Sequence, residues 1–263
     1  MTSPQASGRG FGVAAGLDPA VAGPLANACA DLGYASIWSN DIPGAKGVET
    51  LAAFAEAAPG IELGVTVAID RHPPEEIAAD VERLELDPAR LWLAVGAGHS
   101  KRPLTTMREA LPRCREALPG FRIVLAGMGP KMCALAGSSY DGAFFNWMTP
   151  EFAAEARAHV ERGAAEAGRE TPPVFGYVRT AVGPDAKERL AKEEGFYRDL
   201  HDGYRNHFAR LGEPEGTVGI AATHRDEAQS QLAAYHSLDV TVVRALASAT
   251  VEAMSALAEA AAP

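Results

Sequence analysis

The chain is poor in cysteine, has a deficit of basic residues, and contains no long uncharged apolar run. Its three cysteines, Cys29, Cys114 and Cys133, fall in helical patterns without metal-ligand spacing. An odd, scattered set of this kind excludes a disulfide framework and points to reduced, buried thiols in a cytoplasmic protein. Without a long apolar run there is no transmembrane helix to place. The formal charge of −10 leaves no basic stripe for nucleic acid. Met1 to Gly10 is polar and lacks the apolar centre of a secretion signal, so residues 1–9 read as a frayed tail. Close His/Asp/Glu pairs are missing from the strand ends. In Asp70-Arg71-His72 a cation interrupts the cluster, and no metal is expected.

What is present is a sizeable core and an unbroken alternation. Apolar residues make up 47% of the 263, and a (β/α)8 barrel takes about 250 residues. Strand patterns are read at Phe11–Ala15, Ser36–Ser39, Ile61–Ile69, Leu91–Val95, Phe121–Ala126, Ala143–Trp147, Val174–Val182 and Val240–Leu246. A helical pattern follows each of them. Asp18-Pro19 opens the first helix as N-cap and first helical residue, and Gly33 stops it. Ile123–Ala126 and Val240–Val243 are apolar throughout, as strands covered on both faces are. Eight such units imply a single closed parallel barrel, an α/β TIM barrel, with ligands at the C-terminal strand ends.

Those ends carry the chemistry. After the fifth strand, Ala126-Gly127-Met128-Gly129-Pro130 turns directly into a helix. Glycines there let backbone approach a ligand, and the helix N-terminus offers free N–H groups to an anion such as phosphate. The other ends give Trp38 to Pro43, Val65 to Ala68 with Asp70 to Pro73, Gly96-Ala97-Gly98-His99, Asn146-Trp147-Met148, Tyr177 with Arg179, and Arg244.

In order, Gly33 to Trp38 leading to Asp41, Leu63 to Val67 with Arg71-His72-Pro73, Val95 to Gly98, the Ala126 to Pro130 turn, and Val242-Val243-Arg244 resemble the luciferase-like family of flavin- and deazaflavin-dependent oxidoreductases. The resemblance spans nearly the whole chain. It implies a luciferase-like barrel binding coenzyme F-420, an 8-hydroxy-5-deazaflavin, or alternatively FMN, and acting as reductase or monooxygenase on a small organic substrate. Alanine-rich composition, as in high-GC bacteria, favours the deazaflavin. Relatives often form homodimers.

Residue by residue, the resemblance places Thr66-Val67 at a non-prolyl cis peptide against the coenzyme ring. It places Gly96, Ala97 and Gly98 along a second wall, and Ala126, Gly127, Met128 and Gly129 around the phosphate. Asp41 matches a position beside the ring, or else serves as a cap or loop-stabilising carboxylate. Deazaflavin alcohol dehydrogenases of the family carry a catalytic His directly after this Asp, where this chain has Ile42. Alcohol oxidation by that route therefore lacks its base, and reduction is favoured. His99 stands where relatives have a carboxylate and is the first candidate proton donor, with Tyr177 second. His72 reads as packing or capping. Trp147, Tyr177, Arg179 and Arg244 line the mouth or finish the core. His159, His201, His207, His224 and His236 read as solvated.

The long insertion that relatives carry after the fourth strand is shortened here to Ser100–Gly120, mostly one helix. The site is then either wide, or roofed by the Asp185–Arg210 segments or by a partner subunit; Glu194, Phe196, Tyr197, Tyr204 and Phe208 suit a cover, with helix packing as their plainer role. Two other readings stay open: a coenzyme-binding barrel without turnover, and a phosphosugar aldolase or isomerase. The latter class commonly uses a Lys or Glu at a strand end, and neither stands in a convincing place.

Overall fold

A computed structural model describes residues 7–263. Eight parallel strands close into a barrel: β1 (Gly8–Ala14), β2 (Ser36–Asn40), β3 (Glu62–Ala68), β4 (Leu91–Gly96), β5 (Arg122–Ala126), β6 (Gly142–Asn146), β7 (Val174–Val182) and, eighth in the ring, β9 (Val240–Ala245). β9 pairs with both β7 and β1, which closes the cylinder. The start of β1 corrects the expected tail, because Gly8 and Arg9 already pair with Val240 and Thr241. Residues 1–6 of that tail lie outside the described residues.

Alternation along each strand sorts side chains between the lumen and the surrounding helices. Leu, Ile and Val at the outward positions (Ile37, Leu63, Val65, Leu93, Ile123, Leu125) join the main apolar core beneath the helices. The lumen is a separate cluster containing Trp38, Trp92, Phe144, Phe175, Tyr177 and Val242. Glycines make room for these rings. A Cβ on Gly64 would stand 2.1 Å from Trp38, and one on Gly12 would stand 2.7 Å from Tyr177. The closed end is plugged by an ion pair, with Arg122 Nη1 2.9 Å from Glu62 Oε2 and its guanidinium 4.0 Å from the Trp92 ring centre.

The helices are α1 (Pro19–Asp31), α2 (Gly47–Ala57), α3 (Pro74–Arg83), α4 (Pro103–Ala117), α5 (Pro130–Ser139), α6 (Pro150–Glu166), α7 (Ala186–Leu200), α8 (Asp202–Leu211), α9 (Arg225–Ala233) and α10 (Val251–Ala260). Asp18 caps α1 through the Ala20 N–H at 2.8 Å. Gly33 takes φ +82° just after the helix, as its reading as a stop requires. Thr149 and Thr250 cap α6 and α10 in the same way.

Two elements add to the eight-unit plan. The short strand β8 (Ile220–Ala222) pairs with Thr180–Val182, where β7 runs on beyond β6, and α9 follows it. Three residues are too few to show an alternating pattern. The connection after β4 is short, as expected, and consists mainly of α4.

Candidate functional site

The inward register brings one residue from each of seven strands, β2 to β7 and β9, to the open end of the lumen. Asn40 follows Trp38 by two positions, Ala68 follows Thr66, and Gly96, Ala126 and Asn146 end β4, β5 and β6. Arg179 stands two positions after Tyr177, and Arg244 two after Val242. The β2-to-β5 side of this layer is thus small or amide-bearing, and the β7 and β9 side is cationic.

Above the layer lies a cavity of about 370 Å³, within the range of small-molecule sites. Thr66, Val67, Ala68, Gly96, Ala97 and Gly98 form one wall, and Ala126, Gly127 and Met128 continue it. Tyr177 and Arg179 face them. Tyr197, Leu200, His201 and Tyr204, with Phe196 beside them, form the roof. The cover therefore comes from α7 and α8, one of the two sources considered from sequence. A small cluster around Trp147, Leu190, Phe208 and Val218 holds it down. Glu194, fully buried, accepts from the Val218 N–H at 2.9 Å and pairs with Arg198 at 2.6 Å, which fixes α7 to the segment before β8. A shallower groove of about 910 Å³ adjoins the cavity, sharing Asp41, Ile42, Pro43 and Arg71 with it.

Most sequence-selected residues meet at this cavity, but their local roles differ. Asp41 lies on its edge, with both carboxylate oxygens engaged. Oδ1 accepts from the Gly47 N–H at 2.7 Å and Oδ2 lies 2.9 Å from His72 Nδ1. His72 is buried, and its Nε2 lies 3.2 Å from Asp80 Oδ2. This is the packing role read for His72. Asp80 also takes hydrogen bonds from Lys46 and Arg83. Burial works against its charge, yet those bonds prevail and hold the carboxyl at about 2.

His99 sits on the rim with its side chain 62% exposed. Asp70 Oδ2 accepts from the His99 N–H at 2.9 Å and lies 3.4 Å from Nδ1. Gly98 takes φ +57°, and a Cβ there would overlap Asp70, so only glycine lets the carboxylate reach under this loop. Tyr177 is buried, and its hydroxyl donates to the Ser39 carbonyl at 3.3 Å. Burial pushes that hydroxyl up to about 12, against the pull of Arg244.

The glycine turn carries two details that the sequence does not show. The Gly127 N–H already donates to the Phe144 carbonyl at 3.1 Å, because the turn extends the β5–β6 pairing by one bond. Gly129 is not part of the cavity wall, although Gly127 and Met128 are. Among the described residues the Met128 and Gly129 N–H groups have no acceptor. No peptide bond is cis among the described residues, so the cis bond expected at Thr66-Val67 is absent, and β3 runs through both residues in regular parallel pairing.

One histidine read as solvated is not, and a second is only partly so. His207 is fully buried, and its Nε2–H donates to the Trp147 carbonyl while Nδ1 accepts from Arg210. Burial brings it down to about 4, with the Trp147 bond acting in the opposite sense. His201 caps α8 through the Gly203 N–H at 3.0 Å, and its ring centre lies 5.6 Å from that of His99 across the mouth. Burial, then the charge of His99, lowers it. His207 stands in a polar helical stretch, where nothing in the sequence signals that α8 turns it inward.

Among the described residues no carboxylate makes an ion pair with the cationic side, although Glu193 on α7 stands near enough to act on the charge of Arg244. Arg179 is buried, with Nη1 donating to Asn146 Oδ1 and its plane 4.2 Å from the Trp147 ring centre. Its Nε has no partner. Arg244 is buried too, and donates to Asn40 Oδ1 at 3.1 Å and to the Ala245 carbonyl. Burial, then the charge of Arg179, pushes its guanidinium down.

Comparison with known proteins agrees with this architecture. Solved structures of the same fold include a coenzyme F-420-dependent secondary alcohol dehydrogenase in complex with an F-420–acetone adduct, at 17% identity and a TM-score of 0.72, with 97% of this chain and 99% of that one covered. The coenzyme F-420-dependent tetrahydromethanopterin reductase from Methanopyrus kandleri aligns at 15% identity and a TM-score of 0.70, covering 90% and 93%. EDTA monooxygenase from a Chelativorans species aligns at 12% identity and a TM-score of 0.66, covering 97% and 93%. No curated protein matches the sequence. The luciferase-like monooxygenase profile matches residues 112–260, more than half of the chain. Barrel, open-end cavity and profile together place this chain in the luciferase-like monooxygenase family.

Proposed function

We propose that the chain is an oxidoreductase that holds a deazaflavin such as F-420, or alternatively FMN, and moves a hydride between it and a small organic substrate, with reduction favoured. The observation that carries this reading is the wall of small residues, Thr66 to Ala68, Gly96 to Gly98 and Ala126 to Met128, facing Tyr177 across a cavity of about 370 Å³. Short side chains leave a slot in which a flat ring fits. The free Met128 and Gly129 N–H groups, at the start of α5, suit an anionic tail.

The coenzyme, when bound, supplies the hydride chemistry, and the barrel supplies orientation and a proton. His99, steadied by Asp70 at the rim and open to water, is the candidate proton donor. Tyr177 is the second. With its hydroxyl raised to about 12 it keeps its proton at neutral pH, and it serves a substrate by turning that O–H away from the Ser39 carbonyl. Ile42 lines the same space and cannot take a proton from a substrate hydroxyl, which favours reduction over alcohol oxidation. The roof of α7 and α8 limits water above the site.

The wall contains no lysine and no glutamate, which weighs against the aldolase or isomerase alternative. Fluorescence titration of the full chain with F-420 and with FMN tests the proposal. Saturable binding of at least one, followed by oxidation of its reduced form with an enone or imine acceptor, is expected. No affinity for either rejects the reading. Binding without turnover across a broad acceptor panel reduces it to a coenzyme-binding barrel.

A further inference from the structure

The same lumen treats its arginines in two different ways. At the closed end Arg122 faces Glu62 across 2.9 Å, and its charge is balanced within the protein. At the open end Arg179 and Arg244, both more than nine-tenths buried, have only neutral partners: an asparagine each, and one backbone carbonyl. Burying a guanidinium without a counter-ion is costly, and two that repel each other cost more.

The aromatic faces of Trp147 and Tyr197, at 4.2 and 5.0 Å from the Arg179 guanidinium, recover part of this. They do not satisfy its N–H groups. Nε is left without an acceptor, and no hydrogen bond is made through Nη2. Asn146 holds the plane of the group, since its Oδ1 takes Nη1 while its Nδ2 donates to Tyr204 at 3.0 Å. The arrangement is a guanidinium fixed in orientation on a cavity wall, with Nη2 unbonded, Nε buried without an acceptor, and no anion paired with it.

We propose that the Arg179 side of the cavity is an oxyanion seat, backed by Arg244, for a carboxylate or phosphoryl group of a bound ligand. The seat lies in the cavity assigned above to a redox coenzyme and to that extent rests on that reading. The shared chemistry has two sources, an organic-acid substrate or, in place of the seat at the start of α5, the phosphate of the coenzyme, and they separate experimentally.

One arm needs no coenzyme. Thermal shift and calorimetry on the full chain compare benzoate and hexanoate with benzamide and hexanamide at constant ionic strength. The other compares FMN with riboflavin, which lacks the phosphate. Each is repeated with Arg179→Gln and Arg179→Lys. An acid-substrate seat gives at least tenfold tighter binding of the acids than of their amides, lost in Arg179→Gln and partly kept in Arg179→Lys, with the FMN-to-riboflavin ratio unmoved. A coenzyme-phosphate seat instead collapses that ratio at least tenfold in Arg179→Gln. Acids equal to amides, with a ratio that Arg179→Gln leaves unchanged, overturn the proposal. If Arg179→Gln fails to fold, the wild type decides: acid-to-amide and FMN-to-riboflavin ratios both near one overturn it. Because the first arm is free of redox chemistry, failure of hydride transfer and failure of the seat are read separately.

Discussion

His72 Nδ1 lies 2.9 Å from Asp41 Oδ2, and this contact ties the end of β2 to the start of α3 beneath the cavity edge. Asp41 is therefore committed to protein partners on both oxygens. Replacing it by Ala leaves the Gly47 N–H and the His72 ring without an acceptor, at about 1–3 kcal/mol. Asp41→Ala is expected to lower the unfolding free energy by that amount, read as a lower urea midpoint at unchanged slope, while changing coenzyme affinity less than threefold. A tenfold loss of affinity in a variant of unchanged stability would instead put Asp41 in contact with the coenzyme.

Gly64 is set by Trp38. An added Cβ would stand 2.1 Å from the indole, inside a lumen with no slack. Gly64→Ala is expected to cost about 3 kcal/mol, the upper part of the usual overpacking range. Adding Trp38→Phe should recover part of the loss, and the two effects should not add, as expected for side chains in contact. Urea unfolding of the two single variants and the double variant measures this.

The buried His207 makes stability fall on the acid side. Its ordinary value of 6.5 drops to about 4 in the fold. Between those two pH values the unfolded chain takes up a proton that the folded chain refuses, so unfolding is favoured as pH falls. The effect builds from pH 6.5 downward, reaches about 3 kcal/mol near pH 4, and stays level below that. The melting temperature of the wild type should fall across this window, and that of His207→Gln should fall less. Equal slopes for the two proteins would show that other groups set the acid limit.

The barrel was legible because its signals are periodic. Alternation put Trp38, Tyr177 and Val242 on one face, and so carried Asn40, Arg179 and Arg244 to the open end. Asp18-Pro19 and Gly33 bounded a helix by local chemistry alone. What escaped depends on long-range pairing. The Gly127 N–H looks free in sequence and is consumed by Phe144, a residue of the next strand. Gly8 and Arg9 look like tail and are strand, because the neighbouring β9 supplies their partner. His207 looks solvated and is enclosed by Trp147 and Phe152, one at the end of β6 and the other at the start of α6. The balance of charge around Arg179 was equally out of reach, since it is a property of what does not come near.

With its cover hung from the far end of β7 and anchored by β8, the barrel is left open over the arc above β1 and β2. The broad trough running from the cavity past Ile42 and Pro43 to Lys46 opens in that direction. Asp41, Ile42, Pro43 and Arg71 belong to both hollows, so a change of side-chain size at these four positions alters the chamber's outlet without touching its inner wall.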